Sequence, residues 1–115
     1  MTVPVDLIFR DVDQTPELSD AATRHIERID RQFPNIQRLE VTISAPHKSH
    51  EKGQLISVHL EAHVPDSRNL VVSHEHHDKA AHTAGEIALR DAFKALQHQL
   101  STWKDKRLGN VKRHG

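Results

Sequence analysis

Cysteine is absent from the 115 residues, which excludes a disulfide framework, a thiolate metal site and a cysteine nucleophile at once. Long apolar runs are missing too. No stretch approaches the roughly 20 residues that span a bilayer, and the opening Met1-Thr2-Val3-Pro4-Val5-Asp6 has no basic segment ahead of an apolar core. The expected address is the cytoplasm, with no membrane partner. Aromatic residues are scarce, with three Phe, one Trp and no Tyr, so a platform of rings stacked on single-stranded bases is not expected. The four glycines are isolated and form neither a phosphate-cradling loop nor a dinucleotide fingerprint. Sixteen basic residues balance sixteen acidic ones, which argues against a globally basic nucleic-acid binder and turns attention to where the charges lie.

They lie unevenly. Asp6, Asp11, Asp13, Glu17 and Asp20 face only Arg10 in the first twenty residues, whereas from Lys94 onward Lys94, Lys104, Lys106, Arg107, Lys112 and Arg113 face only Asp105. That asymmetry points one end of the molecule toward a polyanion. The eleven histidines are mostly neutral at pH 7 and charge in mild acid or beside phosphates.

The length allows one domain with one modest core, expected over residues 2–108, with a basic flexible tail at 109–115. Val3, Val5, Leu7 and Phe9 alternate with polar or outward residues, predicting a strand whose Pro4 suits an edge. Thr15-Pro16-Glu17 supplies a cap oxygen, a first-turn proline and a first-turn carboxylate. The stripe Leu18, Ala22, Ile26, Ile29, Phe33 then predicts a helix of about five turns, stopped by Pro34. Leu39, Val41, Ile43 and Ile56, Val58, Leu60, Ala62 each alternate with polar residues as two further strands. The polar stretch Pro46–Gly53 joins them as a hairpin-type connection, and Pro65-Asp66-Ser67 marks the next turn. Leu70 to Ser73 reads as a short fourth strand, and His74–Asp78 as loop.

Thr83 and Glu86 fit a capping box for the last helix. Its stripe is Leu89, Phe93, Leu96, Leu100 and Trp103, with Ala92 beside it; Ile87 falls outside and is expected to be exposed. The helix is expected to run to about Lys106 and to end before Gly109. The order predicts an α+β fold of β-α-β-β-β-α type, two helices on one face of a four-stranded mixed sheet, with the first two strands parallel.

No motif carries catalysis. His74-Glu75-His76-His77-Asp78 begins like a zinc-protease helix, but the second ligand position holds Asp78. No nucleophile elbow is present, and neither a cofactor nor a small-molecule substrate is expected. A metal reading rests on the histidines. His47 and His50 share a loop, and His59 and His63 point the same way about 13 Å apart on one strand. His74, His76, His77 and His82 follow; none of these spacings matches a ligand motif, and scattered surface residues explain them more simply. His25, within the first helix's apolar stripe, is expected to be a boundary residue bonded to backbone.

The cations are ordered. Arg24, Arg28 and Arg31 follow steps of four and three along the first helix. Arg90, Lys94, Gln97, Ser101 and Lys104 form a polar line on the last, continued by Lys106, Arg107, Lys112 and Arg113. If both helices cover one sheet face, the lines border one groove suited to phosphates. The same spacing sets Asp20 against Arg24 and Glu27 against Arg31, which would make part of the line a salt-bridged, solvated face.

Element order and lettering together resemble the ribosome hibernation-promoting and ribosome-associated inhibitor family, the sigma-54 modulation proteins, over nearly the whole chain. The resemblance lies in Ala45–Gly53 followed by Val58–Pro65, in Ala88-Leu89-Arg90-Asp91-Ala92-Phe93, in Gln99-Leu100 and in Lys104-Asp105-Lys106. It implies a domain that binds small-subunit ribosomal RNA in the mRNA and tRNA channel and silences idle ribosomes by occupying it, without chemistry. Arg24, Arg28 and Arg31 match the family's basic first helix, and Lys104 and Lys106 the basic end of its last; Arg90, Lys94 and Arg107 complete the candidate RNA-binding set. Ala95, His98 and Thr102 stand where the family often has basic residues, which implies fewer phosphate contacts and a smaller salt slope. With neither of the further domains found in some members, the chain is not expected to pair ribosomes by its own tail; a monomer is expected when it is free. The alternatives are a histidine-rich metal-binding or pH-responsive module, and a protein-docking sheet face bearing Glu40, Thr42, His59 and Glu61.

Overall fold

Three period-two segments, a short fourth run and two apolar stripes become a four-stranded sheet and two helices. The computed structural model describes residues 3–45 and 54–113, the side chains of 109–113 excepted. The elements are β1 (Val5–Arg10), α1 (Pro16–Gln32), β2 (Arg38–Ser44), β3 (Gln54–His63), β4 (Leu70–Asp78) and α2 (Ala81–Arg113). The sheet order is β1-β2-β3-β4. β1 runs parallel to β2 through α1, and the other two pairs are antiparallel. This is the expected α+β arrangement.

Each element forms for a local reason. Thr15 is extended, and its Oγ1 accepts from the Leu18 amide at 3.3 Å. Pro16 occupies the first turn, where a missing N–H costs nothing. The Phe33 amide donates to Ile29 at the far end, and Pro34 prevents another turn. The β3–β4 turn bends at Asp66, whose positive φ of 57° is a conformation that aspartate tolerates better than most residues. Pro4, at the sheet edge just before β1, needs only its carbonyl, which accepts from the Leu39 amide at 2.9 Å.

The core is the helix-facing side of the sheet. Leu39, Val41 and Ile43 of β2 and Ile56, Val58, Leu60 and Ala62 of β3 are fully buried. They join Leu18, Ala22 and Ile29 of α1 and Leu89, Phe93, Leu96, Leu100 and Trp103 of α2 in one cluster. Strand alternation therefore sends every intervening polar residue to the opposite, open face. The helices meet at Gly85, where an added Cβ would stand 2.5 Å from Leu18 Cδ2. Any side chain there requires the Leu18 isobutyl group to move.

Three boundaries differ from the sequence expectation. β4 does not stop at Ser73: His74, Glu75, His76, His77 and Asp78 pair with Val58 through Gln54. The ten-residue β3 templates this polar segment, and charged, histidine-rich lettering is well tolerated on an edge strand. α2 begins at Ala81, so Thr83 sits inside its first turn and the Thr83–Glu86 capping box is not what starts it. Gly109 does not end the helix, which continues to Arg113; a glycine inside a helix costs only about 1 kcal/mol, and no proline follows to force a stop. Ile87 is half-buried rather than exposed and lies beside α1. The Pro46–Gly53 connection, with His47 and His50, lies outside the described residues.

Replacing Gly85 by valine should force Leu18 and the helix pair apart and cost about 1–3 kcal/mol. Urea unfolding checks this: the midpoint should fall with little change in slope, and an unchanged midpoint would show that the helix contact is slack.

Candidate nucleic-acid interface

The α1 arginines stand where their spacing put them. Arg24, Arg28 and Arg31 are all exposed, on the flank of α1 beside its buried stripe. Among the described residues, none of the three has a carboxylate within 4 Å, so the Asp20–Arg24 and Glu27–Arg31 pairs are not formed.

Three hollows separate the candidate cations. The first, about 310 Å³ between α1 and α2, is lined by Ala21, Arg24, His25, Glu86, Ile87 and Arg90, so Arg24 and Arg90 do share a groove. The second, about 300 Å³ past the end of α1, holds Lys104 and Arg107 beside Gln32, Asn35 and Trp103. The third, about 740 Å³, lies on the β4 flank of α2 and includes Lys94 with His74, Asp91, His98 and Ser101. The polar line of α2 therefore does not border a single groove. Arg90 and Lys104 face α1 and its C-terminal end, and Lys94 opens toward β4. Lys106 is exposed and lines none of the three.

Two α2 arginines are held by neighbours. The Arg107 guanidinium lies over the Trp103 ring at 5.0 Å and 3.9 Å from Asp66, a cation–π contact backed by a weak ion pair. Arg90 Nε donates to Asp91 Oδ1 at 3.2 Å. The Trp103–Arg107 spacing of four already signals the first contact; the Asp66 partner comes from a distant turn and has no local signal.

His25 is a groove wall. Its ring stacks on Phe93 with centroids 5.1 Å apart and planes 11° from parallel, in place of the expected backbone bond. Burial, followed by the charges of Arg28 and Arg24, lowers its pKa below the ordinary 6.5. A neutral imidazole between two arginines is thus the favoured form.

The other histidines divide by strand parity. In β4, His74 and His76 share the helix-side parity of Val72, and His77 lies on the open face. They do not assemble a site. Among the described residues the His/Asp/Glu group compact enough to hold an ion is Glu40, Glu61 and His63.

Residues 5–108 match the family described as Sigma 54 modulation protein / S30EA ribosomal protein. The chain belongs to that family. No curated protein matches the chain. Among solved structures, a ribosomal subunit interface protein from Coxiella burnetii superposes with a TM-score of 0.60 at 15% identity, covering 89% of this chain and 98% of its own. The N-terminal domain of Protein Y from Thermus thermophilus gives 0.53 at 18% identity, covering 85% and 98%. At such identities the likeness carries the fold. The family's description is that of a ribosomal protein, and among the described residues no helix is long and apolar enough to cross a membrane.

Because the folded pKa of His25 is lowered, its contribution to stability is complete above the unfolded value near 6.5 and is lost as pH falls through the folded value. Stability measured by urea between pH 8 and 5 should fall less steeply in His25→Phe than in the parent; parallel profiles would mean that His25 titrates the same folded and unfolded.

Proposed function

We propose that this S30EA-type domain binds small-subunit ribosomal RNA in the mRNA and tRNA channel and silences idle ribosomes by filling it. The cationic set is Arg24, Arg28 and Arg31 of α1 with Arg90, Lys94, Lys104, Lys106 and Arg107 of α2. The reading rests on family membership, and the observation that carries it is the exposure of Arg24, Arg28 and Arg31 without a carboxylate partner among the described residues. Three cations without a carboxylate partner among the described residues, on a chain of zero net charge, support the helix side as the phosphate-facing one.

The geometry orders the contributors. Arg24 and Arg90, facing each other across the α1–α2 groove, suit adjacent phosphates of one strand. Lys104 and Arg107 continue the line past the end of α1. Lys94, opening to the other side of α2, reaches a different segment of RNA. Occupation is steric, with phosphate contacts supplying the affinity and no bond made or broken.

Cosedimentation with small subunits over a range of salt tests this. The parent should bind at low salt and release as salt rises, and absence of binding at low salt would overturn the proposal. Replacing Arg24, Arg28 and Arg31 by glutamine should weaken binding and reduce the slope of log K against log salt by about 2. Neutralising Lys104 and Lys106 should reduce it by about 1 to 2.

A further inference from the structure

The open face of the sheet is polar, and its polarity is arranged. Across its middle run Asp6, Glu40 and Glu61, one residue each from β1, β2 and β3, in direct register. Like charges directly opposite one another destabilise a strand pair, so Glu40 facing Glu61 needs a counter-charge. Arg38 is the nearest fixed cation on β2, but its guanidinium reaches the other way and binds Asp6, with Nε donating at 3.0 Å. What stands over the two glutamates is the imidazole of His63. Its Nε2 is 2.7 Å from Glu40 Oε2 and 3.7 Å from Glu61 Oε2.

We propose that Glu40, Glu61 and His63 form a binding site for a divalent transition-metal ion of the zinc type. One oxygen from each glutamate and the ring nitrogen lie within 4.8 Å of one another. Tetrahedral zinc with ligands at about 2.0–2.1 Å sets neighbouring donors about 3.3 Å apart. The two distances from His63 bracket that value, and the three donors need only side-chain rotation to close on one ion. Two carboxylates and a neutral imidazole carry a charge of −2, which a dication cancels, relieving the cross-strand repulsion. One nitrogen with only two carboxylates favours zinc-like ions over calcium or magnesium, which take oxygen donors.

The surroundings fit the assignment. Asn69 Nδ2 donates to Glu61 Oε2 at 2.8 Å, and His59 flanks the other oxygen, with Nε2 4.0 Å from Oε1. His59 is itself anchored through Nδ1 to Ser73 Oγ at 2.8 Å. Such neighbours orient the donors of a metal site. All three ligands are about one-third exposed, at 35% for Glu40 and 31% for Glu61 and His63, so an ion can enter from solvent and keep a water in its fourth position. The site lies on the sheet face opposite Arg24, Arg28 and Arg31.

Titration of the apo protein with zinc alone, in competition with a chromophoric chelator, provides the test. The parent should show one stoichiometric site. Glu61→Gln and His63→Ala should each weaken it by about tenfold or more, and the double variant His74→Ala/His76→Ala should leave it within about twofold, being far from the ligand set. A parent without a stoichiometric site overturns the proposal, as does affinity that survives Glu61→Gln and His63→Ala or that is lost with His74 and His76. If either ligand variant fails to fold, the imidazole NMR signals of the parent decide. One equivalent of zinc should move those of His63 first, and their remaining in place would overturn the assignment.

Discussion

Ile56, Val58, Leu60 and Ala62 are buried to the last ångström of their surface, and each is separated from the next by a residue that stays in water. That alternation on β3, a central strand with β2 on one side and β4 on the other, is the constraint from which the rest follows. The apolar face must be covered, and only two amphipathic helices laid side by side are available to cover it. Their own stripes are consumed in doing so, which leaves their cationic flanks outward. A chain with no net charge thereby carries the line Arg24, Arg28 and Arg31 on its helix side and the row Asp6, Glu40 and Glu61 on its open sheet face. The separation comes from strand parity and helix phase and needs no excess of either charge.

The same packing explains the character of individual side chains. Gly85 brings α2 close to α1, and the ring of His25 is laid against Phe93. His25 is consequently desolvated beside Arg24 and Arg28, and its neutrality keeps the groove of Arg24, Arg90 and Glu86 from gaining a third cation. Arg107 is steadied by Trp103 and Asp66, whereas the α1 arginines are not. Two kinds of cation thus share the helix side: one kind is pre-ordered by its neighbours, and the other keeps its side-chain freedom.

Much of this was legible in the sequence because it is local. Thr15-Pro16-Glu17 carries the start of α1 in its own chemistry, and the period-two runs of β2 and β3 name their buried residues one by one. What was not legible depends on partners far along the chain. His74–Asp78 has no period of its own and becomes a strand because β3 offers an unpaired edge. The end of α2 could not be read from Gly109, since glycine stops a helix only where the chain is compelled to turn. The cationic residues were individually identified, but their division among three hollows depends on the rotation of α2 against α1 and β4. Glu61 and His63 share a face of β3 through their spacing of two, but Glu40 comes from β2, and only the register across the sheet adds it.

The strict parity of β3 also makes the strand behave like a reading frame. Insertion or deletion of a single residue within it would exchange Ile56, Val58 and Leu60 for Ser57, His59 and Glu61 across the sheet, opening the core and dispersing the carboxylate–imidazole group in one step. Changes of length are tolerable only where the ladder is interrupted, as at the turn through Asp66, where added residues cost little closure entropy. Divergence among chains of this architecture is therefore channelled: substitutions can accumulate along the strands, while length variation is confined to the connections between them.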